Sequence, residues 1–294
     1  MRFEYFEPSS LEEAREVLRS GHGHYKVLAG GTDIILQLRR RVKQYRGLVN
    51  IKRLPDISNW SAEPGEGLRI GAATLMRELE TSPQIIQRFP ALVDSLKVLG
   101  SIQLRNIATV GGNLCNASPA ADSASPLIVL GAKALYVNDG SAPQTIPVEK
   151  FFVGPGSSIL GPDGLLLRVD VPQPQGLTGN SFERLTPRGA MDIAIASAAS
   201  RVTLDSLSRK VIDVGIALGA VAPTPVRAPR AEDVLRGHEP TPEMIAKAGT
   251  VAMEECRPID DIRGSAAYRR AMIGVLVRRT LERSVERAKG TTGN

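Results

Sequence analysis

Two glycine pairs carry the chemistry most readable from residue type and spacing: Gly30 and Gly31 in "LAGGTDII", and Gly111 and Gly112 in "TVGGN", about eighty residues further on. The first pair lies between an apolar run, Val27, Leu28 and Ala29, and a segment in which Ile34, Ile35 and Leu38 recur at helical spacing. It therefore marks a strand-to-helix junction. Free N–H groups point outward together at a helix start, and a residue without Cβ lets another molecule approach the backbone. Such a junction suits an anion; an ordinary tight turn capped by Thr32 or Asp33 is the plain alternative. Two such turns, converging from separate lobes, suit one long ligand carrying a diphosphate.

Other nucleotide devices are absent. No Gly-x-Gly-x-x-Gly occurs, and "GSSILGPD" from Gly156 has Walker-like glycine spacing but Pro162 and Asp163 where Lys and Ser/Thr belong. Cys115 and Cys256 are isolated, and His22 and His24 lack a third ligand, so no metal site is assigned. No residue is assigned a catalytic role.

The surrounding elements follow from pattern. Ser10 and Glu13 form a capping box ahead of a stripe of Leu11, Ala14, Val17 and Leu18, predicting a helix that closes at Gly21. "GLVNIKRLPDI" and "GLRIGAATLMREL" predict further strands, the second leading into a helix, and "PALVDSLKVLGSIQLRN" predicts a helix ending near Gly100. Residues 151–172 read as a glycine-rich loop followed by a strand, and 172–179, "PQPQGLTG", as a linker. Beyond it, "AIASAASRVTLD" and "KVIDVGIALGAV" predict antiparallel strands. "TPEMIAKAGTVAMEEC" and "SAAYRRAMIGVLVRRTLERSVERAK" predict helices, giving a small sheet with helices on one side.

With 294 residues the chain is expected to form two domains, or one elaborated domain with a second lobe, and with 42% hydrophobic and 23% charged residues it has the composition of an ordinary soluble globular protein. Its apolar runs are too short for a bilayer and its N-terminus lacks the order of a signal peptide, so the expected location is the cytoplasm. A net charge of +6 with only 4% aromatics, nowhere interleaved with basic residues, argues against nucleic acid. "LRRRVKQYR" is read as a solvated helix face or a surface for an acidic partner.

The sequence resembles the FAD-binding medium subunits of the molybdenum hydroxylases, the group of xanthine dehydrogenase, carbon monoxide dehydrogenase, nicotinate dehydrogenase and aldehyde oxidoreductases. The resemblance covers nearly the whole chain. It rests on "LAGGTDII" at 28–35, "GSIQLRNIATVGGNLCNASPAADSASPL" at 100–127, "FERLTPRGAMDIAIA" at 182–196 and "RGSAAYRRAM" at 263–272. It implies an α+β fold: a two-lobed FAD-binding domain of the vanillyl-alcohol-oxidase type over 1–175, with lobes of about 1–55 and 56–175, and a C-terminal domain of small antiparallel sheet and helical bundle over 176–290.

Carried over by residue, Val27, Leu28, Ala29, Gly30, Gly31, Thr32, Asp33 and Ile34 would wrap the FAD diphosphate from the first lobe, and Thr109, Val110, Gly111, Gly112 and Asn113 from the second. Asp122 matches an acidic residue that hydrogen-bonds the flavin side, and Leu166 an apolar contact to the ring. Arg184 falls where the family often has lysine, keeping the charge but not the geometry. Gly100 lies where some relatives stack an aromatic on the flavin. Valine at Gly31 or Gly111 is expected to empty the site with the fold largely intact.

The function this implies is electron transfer. FAD would be held non-covalently, with Cys115 the one nearby residue of attachment chemistry. It would take electrons from the [2Fe-2S] clusters of a small partner subunit, themselves fed by a molybdopterin-binding large subunit, and deliver them to NAD or another acceptor. The family's assembly is a dimer of heterotrimers. Tyr136 to Pro172 holds no cysteine, unlike the inserted iron–sulfur loop of 4-hydroxybenzoyl-CoA reductase. An FAD-dependent enolpyruvyl reductase and a basic assembly scaffold are the alternatives.

Overall fold

The first helix, α1 (Leu11–Ser20), starts where the Ser10 hydroxyl accepts from the Glu13 N–H at 3.1 Å. The reciprocal arm of the expected box reaches one residue further back, the Glu13 carboxylate accepting from Ser9 N–H at 2.7 Å. In this computed structural model, which describes residues 3–138, 140–189 and 191–290, α1 lies between β1 (Glu4–Phe6) and β2 (Tyr25–Leu28). β2 leads through the Ala29–Asp33 loop to α2 (Ile34–Arg39) and β3 (Gly47–Asn50). β3 is buried along its length between the other two, in a parallel sheet of order β1-β3-β2. α2 stops at Arg39 and Arg41 takes φ 55°, so the basic run leaves the helix after two turns instead of forming a solvated helical face.

The second lobe opens with β4 (Trp60–Ser61) and β5 (Leu68–Gly71) and then inserts helices: α3 (Met76–Thr81), α4 (Pro83–Arg88), α5 (Pro90–Val98), α6 (Ile102–Arg105), α7 (Val110–Asn116) and α8 (Ala124–Val129). It returns through β6 (Lys133–Val137), β7 (Gln144–Pro147), the small ladder β8 (Phe152–Gly154) and β9 (Ser157–Ser158), and β10 (Leu165–Val171). The resulting antiparallel sheet has the order β4-β5-β10-β6-β7, with a bulge in β10 at Leu167. One expectation fails here. Gly111 and Gly112 form no free turn but the first turn of α7, whose N-cap Thr109 accepts from Gly112 N–H at 3.0 Å.

The third sheet is a meander of β11 (Leu177–Leu185), β12 (Ala196–Leu204), β13 (Val211–Gly219) and β14 (Val226–Arg227), followed by α9 (Pro229–Leu235), α10 (Pro242–Glu255) and α11 (Ala266–Gly290). α11 lies on β11 and β12, where Ser181 donates to Thr280 O at 2.9 Å and the Ser200 and Ser284 hydroxyls meet at 2.8 Å. α5 and α8 of the second lobe cover the sheet's other face, and Phe182, Ala199 and Ala217 join the N-terminal core. A latch fixes the two halves: Arg287 donates to both oxygens of Asp94, and Ala91 N–H to Asn180 Oδ1 at 2.8 Å. Three elements differ from the sequence reading. β11 is an unexpected strand that begins inside the expected linker, at Leu177, and β14 and α9 are additional.

Part of the 263–272 segment is explained by packing. Arg269, 3% exposed, donates to the carbonyls of Ile195 at 2.6 Å and Ala220 at 3.1 Å and to Asp261 at 2.6 Å, tying the sheet to its helices. Replacing it with methionine keeps bulk but leaves the two carbonyls without these donors, while Asp261 keeps Arg263 as its counter-charge at 3.0 Å. Arg269→Met is expected to cost about 2 kcal/mol in urea unfolding, by the penalty for leaving buried acceptors unsatisfied.

Candidate functional site

The two glycine loops meet. A Cβ on Gly30 would overlap the carbonyl oxygen of Ile107 and lie 3.0 Å from Ala108 Cα, so first-lobe backbone rests directly on the strand-like stretch before α7. That stretch is itself fixed: Met76 N–H donates to Ala108 O at 3.0 Å, and Leu75 and Thr109 form an isolated bridge. Gly31 takes φ 77°, in the region an L side chain rarely adopts. It is followed by Thr32, whose hydroxyl lies 3.5 Å from Asp33 Oδ2. Partial desolvation lifts the Asp33 carboxyl above its ordinary range.

Among the described residues, the backbone N–H groups of Gly30, Gly31, Thr32, Asp33 and Ile34 have no acceptor. This is the donor row that the sequence suggests for an anion. The second loop differs, because its N–H groups are spent internally: Val110 on Thr74 O at 3.2 Å, Gly111 on Ala72 O at 2.9 Å, Gly112 on Thr109 Oγ1 and Asn113 on Thr109 O at 3.1 Å. Gly111 is held tight against Ala72, where a Cβ would overlap the carbonyl oxygen and sit 2.7 Å from Ala72 Cβ. A Cβ on Gly112 would meet only the Thr109 hydroxyl, at 2.8 Å. The second lobe thus offers a smooth wall, and the first lobe the donors.

From this wall a line of contacts runs to the second domain. Asn113 Oδ1 accepts from Ser123 Oγ at 2.7 Å, beside Asp122. Asp122 Oδ2 accepts from Arg184 Nη1 at 2.5 Å, both side chains being under a tenth exposed, and Arg184 Nη2 donates to Val98 O near Gly100. Asp122 Oδ1 is buried with no partner. Burial pushes the Asp122 carboxyl up to about 6, against the pull of Arg184. Gly100 itself takes φ 54° at the corner between α5 and α6. The structure therefore joins Asp122 and Arg184, which the sequence treats as separate contacts.

Leu166 stands apart. Its side chain is 3% exposed and packs within the core; the partly exposed side chain is Leu167 at the bulge, whose carbonyl accepts from Ala72 N–H at 2.9 Å. Val27 and Ala29 pack against the core from the β2 side. Cys115, on α7, is partly exposed, and desolvation pushes its thiol up to about 12. It is protonated at neutral pH and a poor nucleophile. Lys26, which sequence reading passed over, is the cation acting on that thiol, and so lies near the junction of the lobes. Strand alternation is the signal that could have found it, since Lys26 projects from β2 opposite the core-facing Tyr25 and Val27.

An unpartnered donor row, a glycine wall and an orphaned carboxylate oxygen fit a long ligand that is anionic at one end and carries hydrogen-bond donors further along. Among the described residues no group of three His, Cys, Asp or Glu side chains is placed to hold a metal, and no helix is long and apolar enough to cross a membrane.

Known proteins share this architecture. Residues 1–174 match the family described as the FAD binding domain in molybdopterin dehydrogenase, and 181–284 that of the CO dehydrogenase flavoprotein C-terminal domain. The carbon monoxide dehydrogenase medium chain of Hydrogenophaga pseudoflava is 32% identical, covering 95% of this chain and 96% of that one. The xanthine dehydrogenase FAD-binding subunit of Escherichia coli O157:H7 is 29% identical over 97% of each. Among solved structures, carbon monoxide dehydrogenase from Hydrogenophaga pseudoflava superposes with a TM-score of 0.92 over 98% of both chains at 32% identity. Quinoline 2-oxidoreductase from Pseudomonas putida 86 gives 0.89 over 98% of both at 26%.

The geometry changes what substitution at the glycines should do. A side chain at Gly111 meets the protein's own Ala72 backbone before any ligand, so the fold does not survive intact as the sequence alone suggests. Gly111→Ala is expected to lower unfolding stability by about 2 kcal/mol through overpacking. Gly112→Ala should stay within about 1 kcal/mol, the strained Thr109 cap being offset by alanine's helix propensity. Urea denaturation of the two variants separates a glycine packed on backbone from one whose Cβ would meet only a capping hydroxyl.

Proposed function

This chain belongs to the FAD-binding family of the molybdopterin dehydrogenases, and from that premise we propose that it is the electron-transfer subunit of a molybdenum-containing hydroxylase or dehydrogenase. It takes electrons from [2Fe-2S] clusters in a small partner subunit and passes them to NAD or another acceptor. Substrate oxidation belongs to a molybdopterin-binding large subunit. The working assembly is a dimer of heterotrimers in the cytoplasm. The observation that carries the reading is the row of unpartnered N–H groups from Gly30 to Ile34, set against the glycine wall of α7.

Residues 1–175 hold the cofactor in this reading, and 176–290 supply Arg184 from the second domain. The N–H groups of Gly30 to Ile34 neutralise and orient the diphosphate, with Lys26 as a nearby cation. The wall from Thr109 to Asn113 lets the ligand lie against backbone, and Asp122 Oδ1 accepts from a donor on the flavin side. When bound, FAD supplies a ring that exchanges electrons singly with iron–sulfur centres and in pairs with a hydride acceptor. The chain's own work is placement and electrostatics, with no general acid or base required of it. Attachment is non-covalent, because the Cys115 thiol stays protonated.

The purified chain is expected to be yellow and to release its flavin on acid precipitation; colour retained by the denatured protein would overturn non-covalent binding. Alone it should reduce a dye with NADH if NAD is the natural acceptor, yet show no substrate-dependent dye reduction until the small and large subunits are added. Substrate-driven turnover by this chain, free of contaminating metal, would refute its role as an electron-exit module.

A further inference from the structure

The buried pair between Asp122 and Arg184 joins two parts of the molecule. Asp122 lies in the loop between α7 and α8, beside the glycine wall, whereas Arg184 comes from β11 of the C-terminal domain. Arg184 has two anchors in the first domain, the Asp122 carboxylate and the Val98 carbonyl at the end of α5, so its guanidinium is committed to protein groups at both terminal nitrogens. A planar fork can hold two acceptors in this way, where the family's lysine could not present the same geometry. Only one oxygen of Asp122 is thereby used. The other, Oδ1, is buried without a partner, an expensive arrangement unless something supplies a donor.

We propose that Arg184 is a positioning residue: it anchors Oδ2 of Asp122 from the second domain, leaving Oδ1 to accept from a donor of the bound FAD, so that cofactor retention depends on docking of the C-terminal sheet. This rests on the reading of Asp122 as a cofactor contact. Arg184 is thus no direct substitute for a lysine at the ligand; it acts through the carboxylate it holds.

The electrostatics give the proposal a measurable sign. Arg184 of β11 is the charged group acting on Asp122; α7 presents Asn113 and the protonated Cys115 thiol, and α8 is preceded by Ser123. Burial raises the carboxyl and Arg184 opposes that rise. The ionised carboxylate is the stronger acceptor at Oδ1, so FAD affinity should climb as pH rises through the titration of Asp122 near 6. Without Arg184 the climb should move to higher pH.

The test is titration of the full-length apo-chain with FAD between pH 5 and pH 8, followed by flavin fluorescence. Arg184→Met should have its inflection raised by about one pH unit and bind about twofold more weakly at pH 7 from lost ionisation alone, with a further loss that persists at pH 8 because the carboxylate is no longer anchored. Arg184→Lys should return the inflection to near 6 by restoring the charge but recover only part of the affinity, because an ammonium does not hold both acceptors in the same geometry. Asp122→Asn should bind more weakly with no inflection, and adding Arg184→Met to it should cost little more. If Asp122→Asn binds like the native chain, the reading of Asp122 as a contact fails, and the proposal with it. If Asp122→Asn is weakened but Arg184→Met is not, or if the two losses simply add, the contact stands and the positioning role is overturned. Should Arg184→Met not fold, Arg184→Gln makes the same comparison.

Discussion

Backbone touching backbone is the constraint from which the rest of the site follows. Gly30 lies on the Ile107 carbonyl and Gly111 on the Ala72 carbonyl, both at separations that exclude a Cβ. The first contact brings the parallel sheet of the first lobe against the stretch that precedes α7; the second ties α7 to the end of β5. Because peptide groups are rigid and side chains are not, such contacts fix relative position more firmly than interdigitated side chains of the same area. The donor row at Gly30 to Ile34 is therefore held at a set height above the α7 wall, and its N–H groups stay unpartnered because this packing gives them no acceptor.

The division of labour between the loops explains their different chemistry. One lobe has spent its amides on capping and on Ala72, and so contributes shape; the other has kept its amides and contributes charge complementarity. Lys26 and the Asp122–Arg184 pair extend that asymmetry, with a first-lobe cation acting on Cys115 of α7 and a buried carboxylate further along. The second domain is part of the same construction, because the face of its sheet opposite α11 packs on α5 and α8 and so lies behind the loop that carries Asp122.

Much of this was legible in the sequence, for reasons that differ by element. α1, α10 and α11 declare themselves by apolar spacing and, in the first two, by a capping side chain at Ser10 and Thr241; β12 and β13 do so by alternation. α7 did not, because two adjacent glycines are poor helix formers and only the Thr109 cap and the contact with Ala72 hold them helical. β11 was hidden by Gly176 and Gly179 and by an interior lined with Asn180 and Ser181, polar groups satisfied by α5 and α11. The glycine motifs marked the two stretches that the fold brings together. Its fine structure was not readable, since Ala72 and Ile107 act through carbonyls that every residue possesses, and Asp122 meets Arg184 across sixty-two residues of chain.

The strand order of the second sheet sets a timetable for folding. The first sheet is complete by Asn50 and needs only neighbouring segments, whereas β5 waits for β10, whose residues begin at Leu165, before it has a partner on its inner edge. Contacts that close long stretches of chain form late and slowly. As the chain emerges from its N-terminus, the donor loop is therefore finished first, the wall opposite it is secured only after β10, and the Asp122 carboxylate acquires its counter-charge last, when β11 has been made. The order of synthesis thus leaves the cleft half-built until β11 has been made.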